Sequence, residues 1–155
     1  MPKAFPDGFH SLTPYLVLIN AVEAIDFYKK AFSAKELMRM PGPDGKKIMH
    51  AQLTIGDSML MMCDAFPEWG SPAGSATTHI YTENVDALVN QAVAAGAKVL
   101  MPPTEMFWGD RFAKISDPFG QTWSVATHTK DMTPAEMQAA SVKAFSEAPC
   151  SDDKK

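Results

Sequence analysis

The sequence predicts an α+β fold made of two tandem βαβββ modules, at about residues 11–65 and 76–128, followed by a C-terminal helix. A near-repeat at an offset of about 64 residues supports this prediction, because it places Thr13 on Thr77 and aligns the segments that follow. Each half also has the pattern of a strand, an amphipathic helix and three short strands separated by turn residues. With 155 residues, of which 46% are hydrophobic, the chain is long enough for one core of ordinary size.

The elements of the first module follow from local patterns. A β-branched and aromatic run at 13–19 predicts the first strand. Apolar residues at helical spacing from Ala21 to Phe32, with Asn20 as the N-cap, predict the first helix. The turn signals Asp44-Gly45 and Gly56-Asp57 then separate three strands, predicted at 35–41, 48–55 and 58–63.

The second module repeats this order. Asn84 caps a helix predicted at 85–95, and Gly96 closes it. The strand before this helix is predicted at 77–82, and the strands after it at about 98–102, 111–116 and 121–127.

The remaining segments are a linker and a C-terminal region. Residues 66–76 are rich in Gly, Pro and Ser, which is typical of a linker or a lid. We predict one domain at 1–130, a C-terminal helix at 131–148 and a disordered tail at 149–155. The capping box Thr133-Pro134-Ala135-Glu136 starts this helix, and it has an apolar face with which to dock: Met137, Ala140, Ala144 and Phe145.

Charge and cysteine content exclude several classes of protein. The net charge of −4 and the absence of a basic stripe argue against a nucleic-acid partner. No stretch approaches the roughly 18 apolar residues of a membrane span. The two cysteines, Cys63 and Cys150, make neither a disulfide framework nor a metal motif. These features predict a cytoplasmic protein without a membrane partner.

Several motifs carry a family resemblance. The tandem units, Phe27-Tyr28, residues 83–86 and Asp117-Pro118-Phe119-Gly120 resemble the vicinal oxygen chelate superfamily, which has the glyoxalase/bleomycin resistance/dihydroxybiphenyl dioxygenase fold. Residues 106–111 and 117–123 most resemble its PhnB-like branch, also labelled 3-demethylubiquinone-methyltransferase-like. The resemblance implies that the helix of each module covers the outer face of its sheet. It also implies that paired modules enclose a cup, commonly in a homodimer.

The resemblance also implies a divalent metal held at four equivalent points. Matched by motif, these points are Thr13, Leu60, Thr77 and Ser124. One leucine and three neutral hydroxyls lack the charge and donor strength that a divalent ion requires. We therefore expect no metal and no other cofactor.

Strand alternation predicts which side chains line the cup. Residues at even offsets from those points share their side of the sheet. On this side we expect aromatic, thioether and polar groups, a mixture typical of a small-molecule site, and Cys63 and Trp123 on the other side. The predicted ligand-binding residues in the strands are Tyr15, His50, Gln52, Met62, His79, Phe112, Lys114 and Ser124.

A glycine turn adds two further candidates. Trp108 and Arg111 flank Gly109-Asp110, and together with Asp110 they form a possible clamp for a flat or anionic ligand. The alternatives are a hairpin stabilised by a local ion pair and a dimer contact.

The sequence leaves several functions open. We expect a protein that binds a hydrophobic or aromatic small molecule in the cup without a metal. The alternative is a lyase, isomerase or dioxygenase-like enzyme, with relocated metal ligands (His50, His79 and His128) or with His50 or His79 as a metal-free general base. A structural dimer whose cup is filled by its own side chains is a third. The sequence does not determine whether the cup forms within one chain or between two.

Overall fold

The computed structural model describes residue 4 and residues 6–146, and within them it has the predicted α+β architecture. A short 3₁₀ turn, Pro67–Trp69, lies in the linker. The predicted tail at 149–155 and the last two residues of the predicted C-terminal helix lie outside the described residues. The elements are β1 (Tyr15–Leu18), α1 (Ala21–Phe32), β2 (Lys35–Pro41), β3 (Ile48–Ile55), β4 (Ser58–Asp64), β5 (Thr77–Tyr81), α2 (Val85–Ala95), β6 (Lys98–Glu105), β7 (Asp110–Ser116), β8 (Thr122–His128) and α3 (Pro134–Ser146).

Each module forms a separate four-stranded sheet with the same topology. The strand orders are β1-β4-β3-β2 and β5-β8-β7-β6, and in both sheets only the first pair is parallel. The register pairs Tyr15 with Met61 in the first module and His79 with Ser124 in the second. The duplication seen in the sequence is therefore present in the strand order of the two sheets.

Asparagine side chains begin both module helices, as predicted. The Asn20 side-chain oxygen accepts a hydrogen bond from the Glu23 amide at 3.4 Å, and the Asn84 oxygen accepts one from the Ala87 amide at 2.9 Å. Gly96 closes α2 at a φ of 119°, in the left-handed region that favours glycine.

The two modules share one core. Helix α1 packs on α2, and Tyr28 of α1 reaches the helix-facing side of the second sheet, where its ring centroid lies 5.2 Å from that of Trp123. The Tyr28 hydroxyl donates a 2.6 Å hydrogen bond to the Asp117 carboxylate. Burial, together with the negative Asp117, raises the pKa of Tyr28 well above its usual range. This core therefore joins the modules through their helices.

The other side of each sheet is turned away from this core. We call these surfaces the first open face, on β1–β4, and the second open face, on β5–β8. The first open face is defined by Tyr15, Val17, His50, Gln52, Thr54 and Met61, and the second by His79, Tyr81, Phe112, Lys114, Ser124 and Ala126. Both sheets cover the same core with their helix-facing sides, so the greater part of each open face is left uncovered by that core.

Strand β6 is longer than predicted. It runs through Pro102 and Pro103 to Glu105, with an irregular register between Met101 and Thr104. It is the edge strand of its sheet, and an edge strand tolerates proline because one of its sides needs no ladder hydrogen bonds.

Helix α3 begins with the predicted capping box. The Thr133 amide and hydroxyl both donate to the Glu136 carboxylate at 2.8 Å. No described residue of α3 is buried, and Phe145 makes its ring contact with Phe107 at a centroid distance of 5.9 Å. The predicted apolar face is therefore largely exposed. Among the described helices, none has the length and apolar character needed to cross a membrane.

Candidate functional site

The first open face carries a connected group of polar side chains. The Tyr15 hydroxyl lies 3.3 Å from Nδ1 of His50, and Nε2 of His50 lies 3.1 Å from the Gln52 side-chain nitrogen. Burial raises the pKa of Tyr15 to about 12, and the neighbouring Cys63 contributes to this shift. The structure therefore brings three of the predicted residues, Tyr15, His50 and Gln52, together on one surface.

The predicted position of Met62 is wrong. Met62 is fully buried and pairs with Leu16 on the helix-facing side, while Cys63 pairs with Val17 on the open side. The prediction placed Met62 in the cup and Cys63 on the helix side. Met61, which pairs with both Tyr15 and Gln52, takes the position that had been assigned to Leu60.

This error has a physical origin in the turn lengths. Four residues separate the paired residues Thr54 and Met59 in the first module, whereas five separate the equivalent pair, Ser116 and Thr122, in the second. Aligning Gly56 with Gly120 therefore shifts β4 by one residue, and a shift of one residue moves every side chain of a strand to the other face.

Thioethers dominate the rest of the first open face. Met38 pairs with Gln52 and Met40 pairs with His50, so both lie on the same side as those residues. Met59 pairs with Thr54 on this side as well. Flexible, polarizable methionines adapt to ligands of different shapes. The sequence prediction missed these methionines. Met59 and Met61 can be identified from the sequence once the residues of β4 are assigned to the correct sides of the sheet.

The second open face gathers four predicted residues. Nδ1 of His79 lies 2.7 Å from the Ser124 hydroxyl, and Lys114 pairs with Ser124 from the other side. The ring of Phe112 is nearly parallel to that of His79, at a centroid distance of 6.2 Å. Tyr81 meets the same imidazole edge to face at 4.5 Å. An aromatic wall therefore borders a short polar row.

Asp110 is the acceptor at the end of this face. Its buried carboxylate accepts hydrogen bonds from Trp108 Nε1 at 3.1 Å and from the Tyr81 hydroxyl at 3.2 Å. Nδ1 of His128 lies 2.8 Å from the other carboxylate oxygen, and hydrogen bonds to Asp110 and Asp131 raise the pKa of His128. Trp108 is thus held against the open face, and the carboxylate that fixes it is already engaged by three neighbours.

Arg111 does not join Trp108 in a clamp, so that part of the prediction is wrong. Its guanidinium Nε and Nη2 lie 2.7 and 2.8 Å from the two carboxylate oxygens of Asp86 in α2. This pairing lowers the pKa of Asp86. Strand β7 begins at Asp110, so alternation turns Arg111 to the side opposite Phe112 and Lys114. The main partner of Arg111 is therefore in α2, and the local ion pair that was one of the alternatives is formed across the hairpin, where Nη1 of Arg111 lies 3.5 Å from a Glu105 carboxylate oxygen.

The side chains at the family's metal points do not suit a divalent ion. With Met61 in place of Leu60, these points offer a thioether and the hydroxyls of Thr13, Thr77 and Ser124, and Ser124 already engages His79. Such weak neutral donors are poor ligands for a hard or borderline cation. Within the described part of the chain, no group of three His, Cys, Asp or Glu side chains is placed to hold a metal, the relocated histidine set included.

A cleft of about 810 Å³ runs along the unpaired edge of β5. Residues of both modules line it, among them Met59, His79 and Tyr81, and Phe32 and Trp123 lie at its apolar side. Of the predicted ligand-binding residues, His79 alone lines this cleft. The cleft thus reaches the margins of both open faces, at Thr54 and Met59 on the first and at His79 and Tyr81 on the second. We place the candidate site on the open faces as a whole, because most of their connected polar and aromatic groups lie outside the cleft.

Comparison with known proteins agrees with this architecture. The model of the Glyoxalase/Bleomycin resistance protein/Dioxygenase superfamily matches residues 16–125. An uncharacterized protein of Mycobacterium tuberculosis is 39% identical over 142 residues, which cover 84% of this chain and 81% of the relative.

Two solved structures are similar in fold and retain detectable identity. TioX from Micromonospora sp. ML1 has a TM-score of 0.65 at 26% identity, covering 77% of this chain and 99% of TioX. TnmS3 from Streptomyces sp. CB03234, described as an antibiotic binding protein, has a TM-score of 0.62 at 26% identity. That match covers 83% of this chain and 100% of TnmS3.

Proposed function

The chain belongs to the Glyoxalase/Bleomycin resistance protein/Dioxygenase superfamily, and on that premise we propose that it is a small-molecule-binding protein. It binds a hydrophobic or aromatic ligand in a cup between two modules, and no divalent metal takes part. The antibiotic-binding description of TnmS3, which shares the fold, supports this proposal.

The observation that carries the proposal is the composition of the two open faces. One offers Tyr15, His50 and adaptable methionines, and the other offers Phe112 and Tyr81 beside a polar row. Tyr15 and Tyr81 are 44% and 63% exposed, so large apolar surfaces remain without a cover in the chain. Small-molecule sites combine such aromatic surface with a few placed polar groups.

We propose that a second copy of the chain completes the cup. The open faces of one chain are turned away from its core, and Tyr15 and Tyr81 on them remain exposed. In a twofold dimer, the first open face of one chain can lie opposite the second open face of its partner. That arrangement closes two equivalent cups.

The proposal has three further parts: the protein binds its ligand without a metal, it belongs to the PhnB-like branch of the superfamily, and it is located in the cytoplasm. The donors at the family's metal points argue for binding without a cation. Residues 106–111 and 117–123 favour the PhnB-like branch. The lack of a disulfide framework in the sequence favours the cytoplasm.

The proposal is tested by fluorescence titration with Nile red, a neutral aromatic dye that reports apolar sites. Tyr15→Ala on the first open face and Phe112→Ala on the second should each weaken binding about tenfold, because both lose aromatic contact area. The control Val142→Ala removes an exposed apolar side chain from α3 and should bind as the wild type does. Absence of saturable binding by the wild type, or loss of binding after chelator treatment, would contradict the proposal.

Complementation separates a cup across a dimer from a cup within one chain. Heterodimers of Tyr15→Ala and Phe112→Ala chains, purified through two different tags, contain one cup with both changes and one cup with neither. If the cup spans two chains, about half of the sites regain wild-type affinity. If each cup belongs to one chain, every site keeps one altered residue and no site recovers.

A further inference from the structure

We infer that the second open face binds the anionic group of an aromatic ligand such as an aryl carboxylate, through Lys114, Ser124 and His79. This inference rests on the proposed function and specifies the chemical class of the ligand. It concerns one row of side chains that crosses three neighbouring strands.

The strand register builds this row. Ser124 of β8 pairs with His79 of β5 on one side and with Lys114 of β7 on the other. Directly paired residues project from the same side of a sheet, with Cβ atoms about 5 Å apart. The 2.7 Å contact between His79 Nδ1 and the Ser124 hydroxyl confirms this for one pair. An ammonium, a hydroxyl and an imidazole therefore lie side by side.

Lys114 and the Ser124–His79 pair each offer a donor to an oxyanion. The pair shares one hydrogen at its 2.7 Å contact, so a neutral imidazole leaves one further hydrogen for a ligand, either on Nε2 of His79 or on the Ser124 hydroxyl. Lys114 is exposed, and none of the described residues forms an ion pair or hydrogen bond with its ammonium group. The Ser124–His79 pair leaves Nε2 of the imidazole unused by any described side chain. Carboxylates and phenolates accept hydrogen bonds from such groups, and charge makes these bonds stronger than neutral ones.

The surrounding charges leave the row positive. The Asp110 carboxylate is occupied by Trp108, Tyr81 and His128. The Arg111 guanidinium faces away and is paired with Asp86. Lys114 therefore adds an uncompensated positive charge beside the aromatic residues of this face, with Lys98 farther along the same side of the sheet, and it favours a negative ligand group.

The aromatic side chains fix where the rest of the ligand lies. Phe112 and Tyr81 occupy the next row of the sheet, and the Phe112 ring is nearly parallel to the His79 imidazole. An aromatic ring that stacks on Phe112 places a carboxylate substituent over the Lys114 row. The equivalent row of the first module contains Gln52, Met61 and Tyr15, which are neutral, so the anionic end is directed to the second module.

Calorimetric titration of the full chain with 2-naphthoate and 2-naphthamide tests the inference, because the two probes differ chiefly in charge. We expect wild-type protein to bind 2-naphthoate about tenfold more tightly than 2-naphthamide. Lys114→Gln introduces the residue of the first module and should remove this preference, by weakening the binding of 2-naphthoate far more than that of 2-naphthamide. Lys98→Gln is the matched control, since Lys98 pairs with Ser116 on the same open face and the change removes the same charge about 7 Å farther along the sheet, outside the Lys114 row.

The outcomes separate the inference from the proposed function. Equal affinity of the wild type for the two naphthalenes, or equal loss in the two lysine variants, overturns the anionic ligand class and leaves aromatic binding intact. If neither the naphthalenes nor Nile red bind, the proposed function fails and the inference fails with it.

Discussion

The two modules have the same backbone plan and different chemistry on their open faces. The central row is neutral in the first module and contains a cation, a hydroxyl and an imidazole in the second. The helix-facing sides remain apolar in both modules because they form one core. Burial thus restricts one side of each sheet and leaves the other free to diverge. The equivalent rows are Met38, Gln52, Met61 and Tyr15 in the first module, and Met101, Lys114, Ser124 and His79 in the second.

The glycines of the two β-hairpin turns sharpen this comparison. Gly45 and Gly109 both have positive φ, 66° and 97°. A Cβ on Gly45 would meet no atom within 4 Å, whereas a Cβ on Gly109 would lie 2.2 Å from the Lys130 carbonyl oxygen. The Gly109 carbonyl also accepts hydrogen bonds from the Thr129 and Lys130 amides at 2.9 Å. The second turn therefore packs closely against the segment after β8 and is hydrogen-bonded to it, whereas a Cβ on Gly45 of the first turn would contact nothing.

We expect Gly109→Ala to have the largest effect. It combines left-handed backbone strain with a clash against backbone, and it should lower the free energy of unfolding by about 3 kcal/mol or more. Gly45→Ala carries the strain without the clash and should cost about 1 kcal/mol. Urea denaturation of both variants measures the difference, and equal destabilisation would show that the second turn is not packed in this way.

Much of the fold is predictable because its signals are local. Asn20 and Asn84 mark both helix starts, and Asp44-Gly45 marks a turn between two strands. Strand boundaries were predicted less well: β1 begins two residues later than predicted, β6 continues through its prolines because it is an edge strand, and β7 begins one residue early.

The candidate site depends on which residues of each strand face the open side of the sheet. A shift of one residue reverses this assignment, which is why the site was predicted only in part. In the second module, alternation correctly places His79, Lys114 and Ser124 together. In the first, a difference in turn length moved Met62 to the wrong side. Asp110 accepts hydrogen bonds from Tyr81 and His128, which lie on two other strands. No local sequence pattern could therefore predict that Asp110 is the acceptor.

Asp117 connects the modules, and we expect Asp117→Asn to have the second-largest effect. One carboxylate oxygen accepts hydrogen bonds from the Tyr28 hydroxyl and Trp123 Nε1, and the other accepts from the Phe119 and Gln121 amides. An amide nitrogen in place of either oxygen would face donors inside the core. Loss of these charge-assisted bonds should cost about 2–3 kcal/mol, measured by urea denaturation.

The control is the corresponding turn of the first module. Asp57 is exposed there and accepts from the Ser58 hydroxyl alone among the described residues. Asp57→Asn should change the free energy of unfolding by less than about 0.5 kcal/mol. A cost for Asp57→Asn as large as that for Asp117→Asn would contradict the role of Asp117 as a link between the modules.

The smallest expected effect is a pH dependence confined to the second module. The hydrogen bonds with Asp110 and Asp131 raise the pKa of His128 above its ordinary value of 6.5, so the folded protein holds this proton more tightly than the unfolded chain. The stabilisation is fully present below pH 6.5 and is lost as the pH rises through the raised pKa. The first module has Ile48 and Ala65 at the equivalent positions, where no such proton is bound.

The contribution of the His128 proton to stability is isolated by comparing the melting temperatures of the wild type and His128→Asn, from below pH 6.5 to above the raised pKa of His128. The wild-type advantage should be largest at the acidic end of the range and should shrink as the pH rises, because the imidazole loses the charge that the two carboxylates stabilise. Asp131→Asn removes one carboxylate partner of His128. It should keep part of the pH dependence of the melting temperature, since the contact of His128 with Asp110 remains. A difference between wild type and His128→Asn that stays constant with pH, or that grows toward alkaline pH, would contradict the assignment, because the sign of the slope is fixed by the direction of the pKa shift.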